Sequence, residues 1–425
     1  MIILINKLKQ AFQVKEIRKK LTFTFLMVVV FRMGTTIPVP GIDTSIIKNM
    51  VENNSLLGLY NMFSGGAFSN FTIFALGIGP YITASIIIQL LTAGFESLKE
   101  LQKSGEEGKK KISKYTRLTA LALAIIQAVG ITLGIVRSAL KVNSSFFIFT
   151  VIITLVAGSM MVMWLGDRIT EKGIGNGSSI LIFVGIISRL PVDIIAIQEK
   201  ASIGALKWPA IVTVIVVVLI TITGVTFINE STRKIPVQYA KRVVGRKMYG
   251  GESSHIPMKV NQSGVMPIIF ASSILALPQT IALLGGPKVQ AAVNSFFNLA
   301  TDKGFWTYRI VEIVLIVLFS YFYNTISFNT EDITKNMKNS GGFIPGIRPG
   351  NPTEKYLNGI LSKLTIVGAA FLGIMALIPA LITHYMHIPV NFGGTSLLIV
   401  VGVALELKRQ LESNLVMKNY QGFLK

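Results

Sequence analysis

The chain has no cysteine, only three histidines, and few charges: 14% of its 425 residues are Asp, Glu, Lys or Arg. Each scarcity closes a route. Without cysteine there is no disulfide framework, no thiol nucleophile and no cysteine zinc site. His384 and His387 lie three apart, but no Asp or Glu is close by in sequence, so no metal site is expected. No glycine-rich loop leads into a Lys-Ser or Lys-Thr pair, so the phosphate-cradling motif is missing. The expectation is a protein with no catalytic residues, no metal and no cofactor. Any work driven by ATP then belongs to another protein.

The low charge also sets the class. Soluble domains carry about 25% charged residues. Here 14% charge accompanies 51% hydrophobic residues, the balance of a membrane protein. Acids are scarcer than bases, 20 against 41, for a net charge of +21. In a soluble protein that excess points to nucleic acid; in a polytopic one it first asks where the charges sit.

Hydropathy marks spans near 21–38, 71–91, 116–136, 146–166, 174–190, 209–229, 263–284, 306–324, 364–384 and 392–408, which makes ten. Ten spans place both ends on one side. Lys and Arg favour the side of the termini by roughly three to one, which puts both termini in the cytoplasm. Much of the positive charge is thus topology. Residues 1–20 read as a basic amphipathic helix on an anionic lipid surface, and 409–425 as a cytoplasmic tail. No small-residue cleavage site follows Leu21–Phe31, so a signal peptide is rejected. Five spans per half, within 21–190 and 209–408, would invert one half against the other. No residue-level repeat is visible.

The stretch around which the chain is organised is Leu56–Leu91. Its second half, Phe71–Leu91, is long enough to span, with Gly77, Gly79 and Pro80 inside it. Its first half is short, less apolar and broken at Ser64-Gly65-Gly66, the pattern of a re-entrant segment. Irregular backbone is tolerated at membrane depth only where protein or a water-filled cavity surrounds it. Charges inside spans are few: Arg32 in the first and Glu312 in the eighth, each read as snorkelling or paired. That scarcity argues against an ion-coupled solute transporter, the main alternative; a structural scaffold would have no use for the Gly-Gly joint. Two loops, about 230–262 and 325–363, are long. The first has the alternation of a β-hairpin, with its turn at Gly250-Gly251 and Arg246 and Lys247 near the tip.

The stretch MFSGGAFSNFTIFALGIGPYITASIIIQLL resembles the plug and second-helix signature of the SecY family, the large subunit of the bacterial protein-conducting channel. The resemblance continues through KISKYTR (Lys111–Arg117), GIGNGSSILIF (Gly173–Phe183), IPVQYAKR (Ile235–Arg242), GVMPIIFASS (Gly264–Ser273), GFIPGIRPG (Gly342–Gly350) and FGGTSLLIVV (Phe392–Val401), in family order. It implies an all-α polytopic membrane protein of ten transmembrane helices in two inverted five-helix halves, with a re-entrant plug and long cytoplasmic loops. It implies a pore ring of Ile78, Ile82, Ile182, Ile186, Ile269 and Ile399. The plug, about 56–70, would include Leu57, Tyr60, Phe63, Ser64, Gly65 and Gly66. A lateral gate between spans 2 and 7 would use Ser85, Gln89, Ser272 and Ser273. Arg246, Lys247 and Arg348 would dock a motor or the ribosome. The partners implied are the SecE and SecG small subunits, the SecA motor ATPase, the ribosome, signal sequences, nascent polypeptides and anionic lipids, at the bacterial plasma membrane.

Overall fold

A computed structural model describes residues 12–53, 57–58, 61, 64–140, 144–204, 208–239, 242–244, 247–249, 253–299, 301–386 and 394–423. Helix α1 (Lys15–Gly34) leads to a short amphipathic α2 (Thr44–Asn53). Turns occupy 64–78 before α3 (Gly79–Gly94) and α4 (Glu96–Lys103). Then come α5 (Glu106–Gly134), α6 (Ser145–Lys172), α7 (Gly177–Ile187), α8 (Leu190–Ser202) and α9 (Trp208–Glu230). Four strands follow: β1 (Thr232–Tyr239), β2 (Arg242–Val244), β3 (Lys247–Tyr249) and β4 (Ser253–Lys259). The rest is α10 (Met266–Leu275), α11 (Leu277–Leu284), α12 (Gly286–Phe297), α13 (Asp302–Ser327), α14 (Thr330–Asn339), β5 (Gly342–Phe343), α15 (Asn351–Tyr385) and α16 (Gly394–Phe423).

Local chemistry fixes several starts. Asn176 caps α7 by accepting from Ser179 N at 3.2 Å, and Thr301 caps α13 by accepting from Gly304 N at 3.3 Å. Prolines open α3, α10 and α15, where a missing N–H leaves no partner wanting.

Six stretches among the described residues are long and apolar enough to cross a membrane: α5, α6, Gly177–Ser202, α9, Asp302–Asn339 and α15. They make the chain a multi-pass membrane protein. A seventh exists if α3 and α4 count together, but these meet at 102°. The remaining expected spans fall short of this test for visible reasons. Helix α1 carries Arg18, Lys19, Lys20 and Arg32, α16 carries Glu406, Lys408 and Arg409, and α10 has ten residues.

The expected span 71–91 is corrected in its first third. Residues 71–78 are turns, because Phe71 and Gly77 take φ of 41° and 56° and Pro80 starts the helix afresh. Neighbours supply the backbone partners that a helix would have supplied internally. Val39 N donates to Phe71 O at 2.9 Å, Ile73 N to Ile37 O at 3.1 Å, and Ser159 Oγ on α6 to Gly77 O at 3.4 Å. Helix α6 makes room with Gly158, where a Cβ would lie 1.8 Å from Ile73 O.

Outside the bundle, β1 lies between β4 and β5 in a three-stranded sheet. Register runs from Thr232↔Lys259 to Gln238↔Ser253, with Gln238↔Phe343 and Tyr239↔Gly342 on the other edge. The two long loops therefore form one unit. It has its own apolar core of Ile235, Val237, Met258, Met337, Ile344, Leu357, Ile360 and Leu361. Within the expected hairpin β2 and β3 pair antiparallel, Val244 with Lys247, and the expected turn at Gly250-Gly251 lies outside the described residues.

Candidate functional site

The six isoleucines come from four separate parts of the chain and meet. Ile78 and Ile82 sit at the start of α3, Ile182 and Ile186 on α7, Ile269 on α10 and Ile399 on α16. All lie in one apolar cluster, each no more than 5% exposed. The residues that surround them are also apolar, among them Phe74, Val162, Leu165, Val265 and Phe270. Among the described residues no group of His, Asp and Glu is arranged to hold a metal ion. Such a cluster can exclude water and seal a path; it offers no acid or base.

Against it lies the turn at Ser64–Asn70. Ser64 and Ala67 are buried, and the turn is knitted internally: Ser69 N donates to Asn61 Oδ1 at 2.9 Å and Phe68 N to Ser64 Oγ at 3.1 Å. Leu57 is buried in the neighbouring apolar cluster with Phe68 and Phe71. Tyr60 and Phe63 fall outside the described residues.

Helices α3 and α10 are in contact. The four polar residues expected to bridge them satisfy themselves within their own helices. Gln89 Nε2 donates to Ser85 Oγ at 3.0 Å, and the Ser272 and Ser273 hydroxyls donate to Ile268 O and Ile269 O at 2.8 Å each. Back-bonding of this kind is the ordinary resort of serine in an apolar helix. The crevice between the helices is lined instead by Leu76, Ile82, Thr83, Ser273 and Ala276, with Gln127 of α5 at its side. Gln127 is buried and its Oε1 has no hydrogen-bond partner. Of the expected gate residues only Ser273 reaches this crevice.

A model of the SecY family matches residues 72–408. The chain belongs to the SecY family. It is 46% identical over 435 residues to a protein translocase subunit SecY of Streptomyces galbus, covering 98% of this chain and 99% of the relative. Against the SecY subunits of Thermotoga maritima and Escherichia coli (strain K12) it is 43% identical in each case, covering 98% and 96% of this chain and 97% and 94% of the relatives. Its fold is shared with a solved protein-conducting channel at a TM-score of 0.68 and 19% identity, over 93% of this chain and 92% of that one. It is also shared with Sec61 in a canine ribosome–channel complex from the endoplasmic reticulum, at 0.64 and 19%, over 93% and 92%. A further SecY structure, in which the plug domain is said to stabilise the closed state and maintain a membrane seal, scores 0.69 at 20%, over the same shares.

Of the docking residues that the SecY resemblance names, Arg348 is exposed, and its carbonyl accepts from Thr353 Oγ1 at 2.8 Å. Lys247 begins β3 beside the closed end of the ribbon, and Arg246 falls outside the described residues. The surroundings are strongly polar. A 2.6 Å bond from Lys335 holds the Glu331 carboxyl below its usual range and raises Lys335. Burial, then nearby Arg409, pushes Lys259 down.

Arg32 and Glu312, the charges expected inside spans, are both partnered. Arg32 Nη1 donates to Ser188 Oγ at 2.9 Å and to Gly65 O at 3.3 Å. Glu312 pairs at 2.5 Å with Arg309, which lies buried on α13 inside the same expected span, 306–324. Its place three residues before Glu312 was the available signal. His384, discarded as a metal ligand, stacks on Phe305 and bonds Asp302 at 2.8 Å; His387 is outside the described residues.

Proposed function

We propose that this chain is the pore-forming subunit of a protein-conducting channel in a bacterial plasma membrane. It passes unfolded polypeptides across the bilayer and releases apolar segments sideways into lipid. The observation that carries the reading is the gathering of six isoleucines from four helices into one buried cluster, in a chain of the SecY family. Branched alkyl groups expel water, so the cluster closes by dewetting, and it can seal round an extended peptide of any sequence. In the full reading ten spans form two inverted halves, 21–190 and 209–408, with both termini cytoplasmic. The Ile78, Ile82, Ile182, Ile186, Ile269 and Ile399 side chains form the pore ring, the segment 56–70 is the plug, and the sideways exit lies between α3 and α10.

A channel without its own energy source needs a docking surface. The sheet that joins both long loops is that surface, and Arg246, Lys247 and Arg348 are its contacts for SecA carboxylates or ribosomal phosphates. SecE and SecG cover apolar faces of the bundle, and residues 1–20 rest on anionic lipid. The experiment is reconstitution with a motor ATPase and an unfolded precursor. Arg348→Glu leaves assembly and resting conductance unchanged while cutting motor-driven translocation about tenfold, the size of one lost charge-assisted contact. Full translocation by an Arg246→Glu, Arg348→Glu double variant would overturn external drive and favour a small-solute transporter, whose loop tips are dispensable.

A further inference from the structure

Arg32 is the one cation of α1 at the depth of the Ser64–Asn70 turn, and its guanidinium touches that turn. We infer that Arg32 is the latch that holds the plug turn in its seat between α1 and α7, and that Ser188 aims it. The inference rests on the plug reading above. The geometry is specific. Ser188 has one hydroxyl proton, which it donates to Gly185 O at 2.7 Å; its lone pair is therefore what meets Arg32 Nη1 at 2.9 Å. The same Nη1 reaches Gly65 O at 3.3 Å. Gly65 holds φ at +66°, and a Cβ there would stand 2.8 Å from Gly185 Cα. At this point turn and helix meet backbone to backbone, with no side chain from either to anchor the other. A partly buried guanidinium at membrane depth is costly unless paired, so Arg32 and the Gly65 carbonyl satisfy each other.

At its trailing end the turn is bonded to the residues that follow it in the chain, Thr72 N donating to Ala67 O at 2.9 Å and Phe71 N to Phe68 O at 3.1 Å, while other bonds stay with it. Gly66 N to Asn61 O at 2.9 Å, Ser69 N to Asn61 Oδ1 and Phe68 N to Ser64 Oγ all lie inside the segment. It can therefore swing as a unit about Phe71 and Thr72, with the Arg32 bond as the polar tie to α1 that breaks. A carbonyl oxygen of an arriving polypeptide is chemically equivalent to Gly65 O. The latch thus opens by exchange of one carbonyl for another and leaves no bare charge.

The test is resting ion leak through the full chain, reconstituted with its small subunits, compared with a variant lacking residues 57–67. Arg32→Gln raises leak about tenfold, the effect of losing one charge-assisted bond. Arg32→Lys recovers most of the seal, and Ser188→Ala gives a smaller rise. In the deletion background none of the three adds further leak, a non-additivity that general loosening of the bundle does not produce. If the deletion leaks while Arg32→Gln stays tight, or if Arg32→Gln adds the same increment in both backgrounds, the latch is wrong and the plug stands. A deletion that does not leak sinks the plug reading itself. Should Arg32→Gln fail to fold, Ser188→Ala decides alone: an unchanged leak overturns the proposal.

Discussion

Helices α9 and α10 are both strongly apolar, yet they are built in opposite ways. Helix α9 runs unbroken for 23 residues and buries only Thr221, Val225, Ile228 and Asn229. Helix α10 has ten residues, starts at a proline and buries eight of them. Helix α3 is built the same way: short, opened by Pro80 and preceded by turns. The difference teaches where each kind of backbone can live. A regular helix satisfies its own polar groups and can face lipid on nearly all sides. A broken one leaves N–H and C=O groups that only neighbouring protein can serve, so it is confined to the interior. Short, Pro-interrupted segments at matching places in two halves are the sequence mark of an internal path.

The sharpest way to break this comparison is to immobilise each kind of helix. Cysteines at Thr83 and Ser273, bridged through two disulfides by a short bis-methanethiosulfonate with loss of two sulfinates, should abolish translocation, and reduction should restore it. The chain has no native cysteine, so the reagent reads that pair alone. The same reagent across Val212 and Ile215 on α9, both more than half exposed, should leave translocation unchanged. Equal inhibition at both places would show that α3 and α10 do not part.

Polar substitution separates the two classes next. Ile82→Ser or Ile269→Ser should raise resting conductance on the order of tenfold by letting water into the cluster, as measured in a planar bilayer. Ile215→Ser on α9 should not change it. The smallest effects are in stability. Gly158→Ala on α6 drives a methyl into the carbonyl of Ile73 and should cost ~1–3 kcal/mol in detergent unfolding. Gly359→Ala on α15, exposed and with nothing within 4 Å, should gain ~0.5–1 kcal/mol from helix propensity alone. Equal behaviour at the two glycines would mean that the 71–78 turns do not lean on α6.

Hydropathy located the six long spans because each is a continuous apolar run, and that signal is local. It misjudged 71–78, since apolar composition does not report that Phe71 and Gly77 carry positive φ. The resemblance implies Ser272 and Ser273 as gate residues, but neither it nor their polarity reveals that each bonds to its own helix. Arg32 was visible as a charge; its partner Ser188 is 156 residues away and could not be. Strand β5 has two residues and leaves no periodicity, so the joining of the two loops appears only in three dimensions. The isoleucines illustrate the limit best: singly they read as packing residues, and only the family resemblance drew them out.

Helix α15 spans 35 residues, about 52 Å at 1.5 Å each. Leu357, Ile360 and Leu361 at one end are core residues of the extramembrane sheet, and Leu372, Met375 and Ala376 belong to the cluster that holds the six isoleucines. Between them the rod has no proline: Pro352 opens the helix before both and Pro379 lies beyond both. The sheet is thus mounted on a mast stepped in the bundle. A straight helix of that length would carry a displacement of the sheet to the isoleucine cluster as tilt.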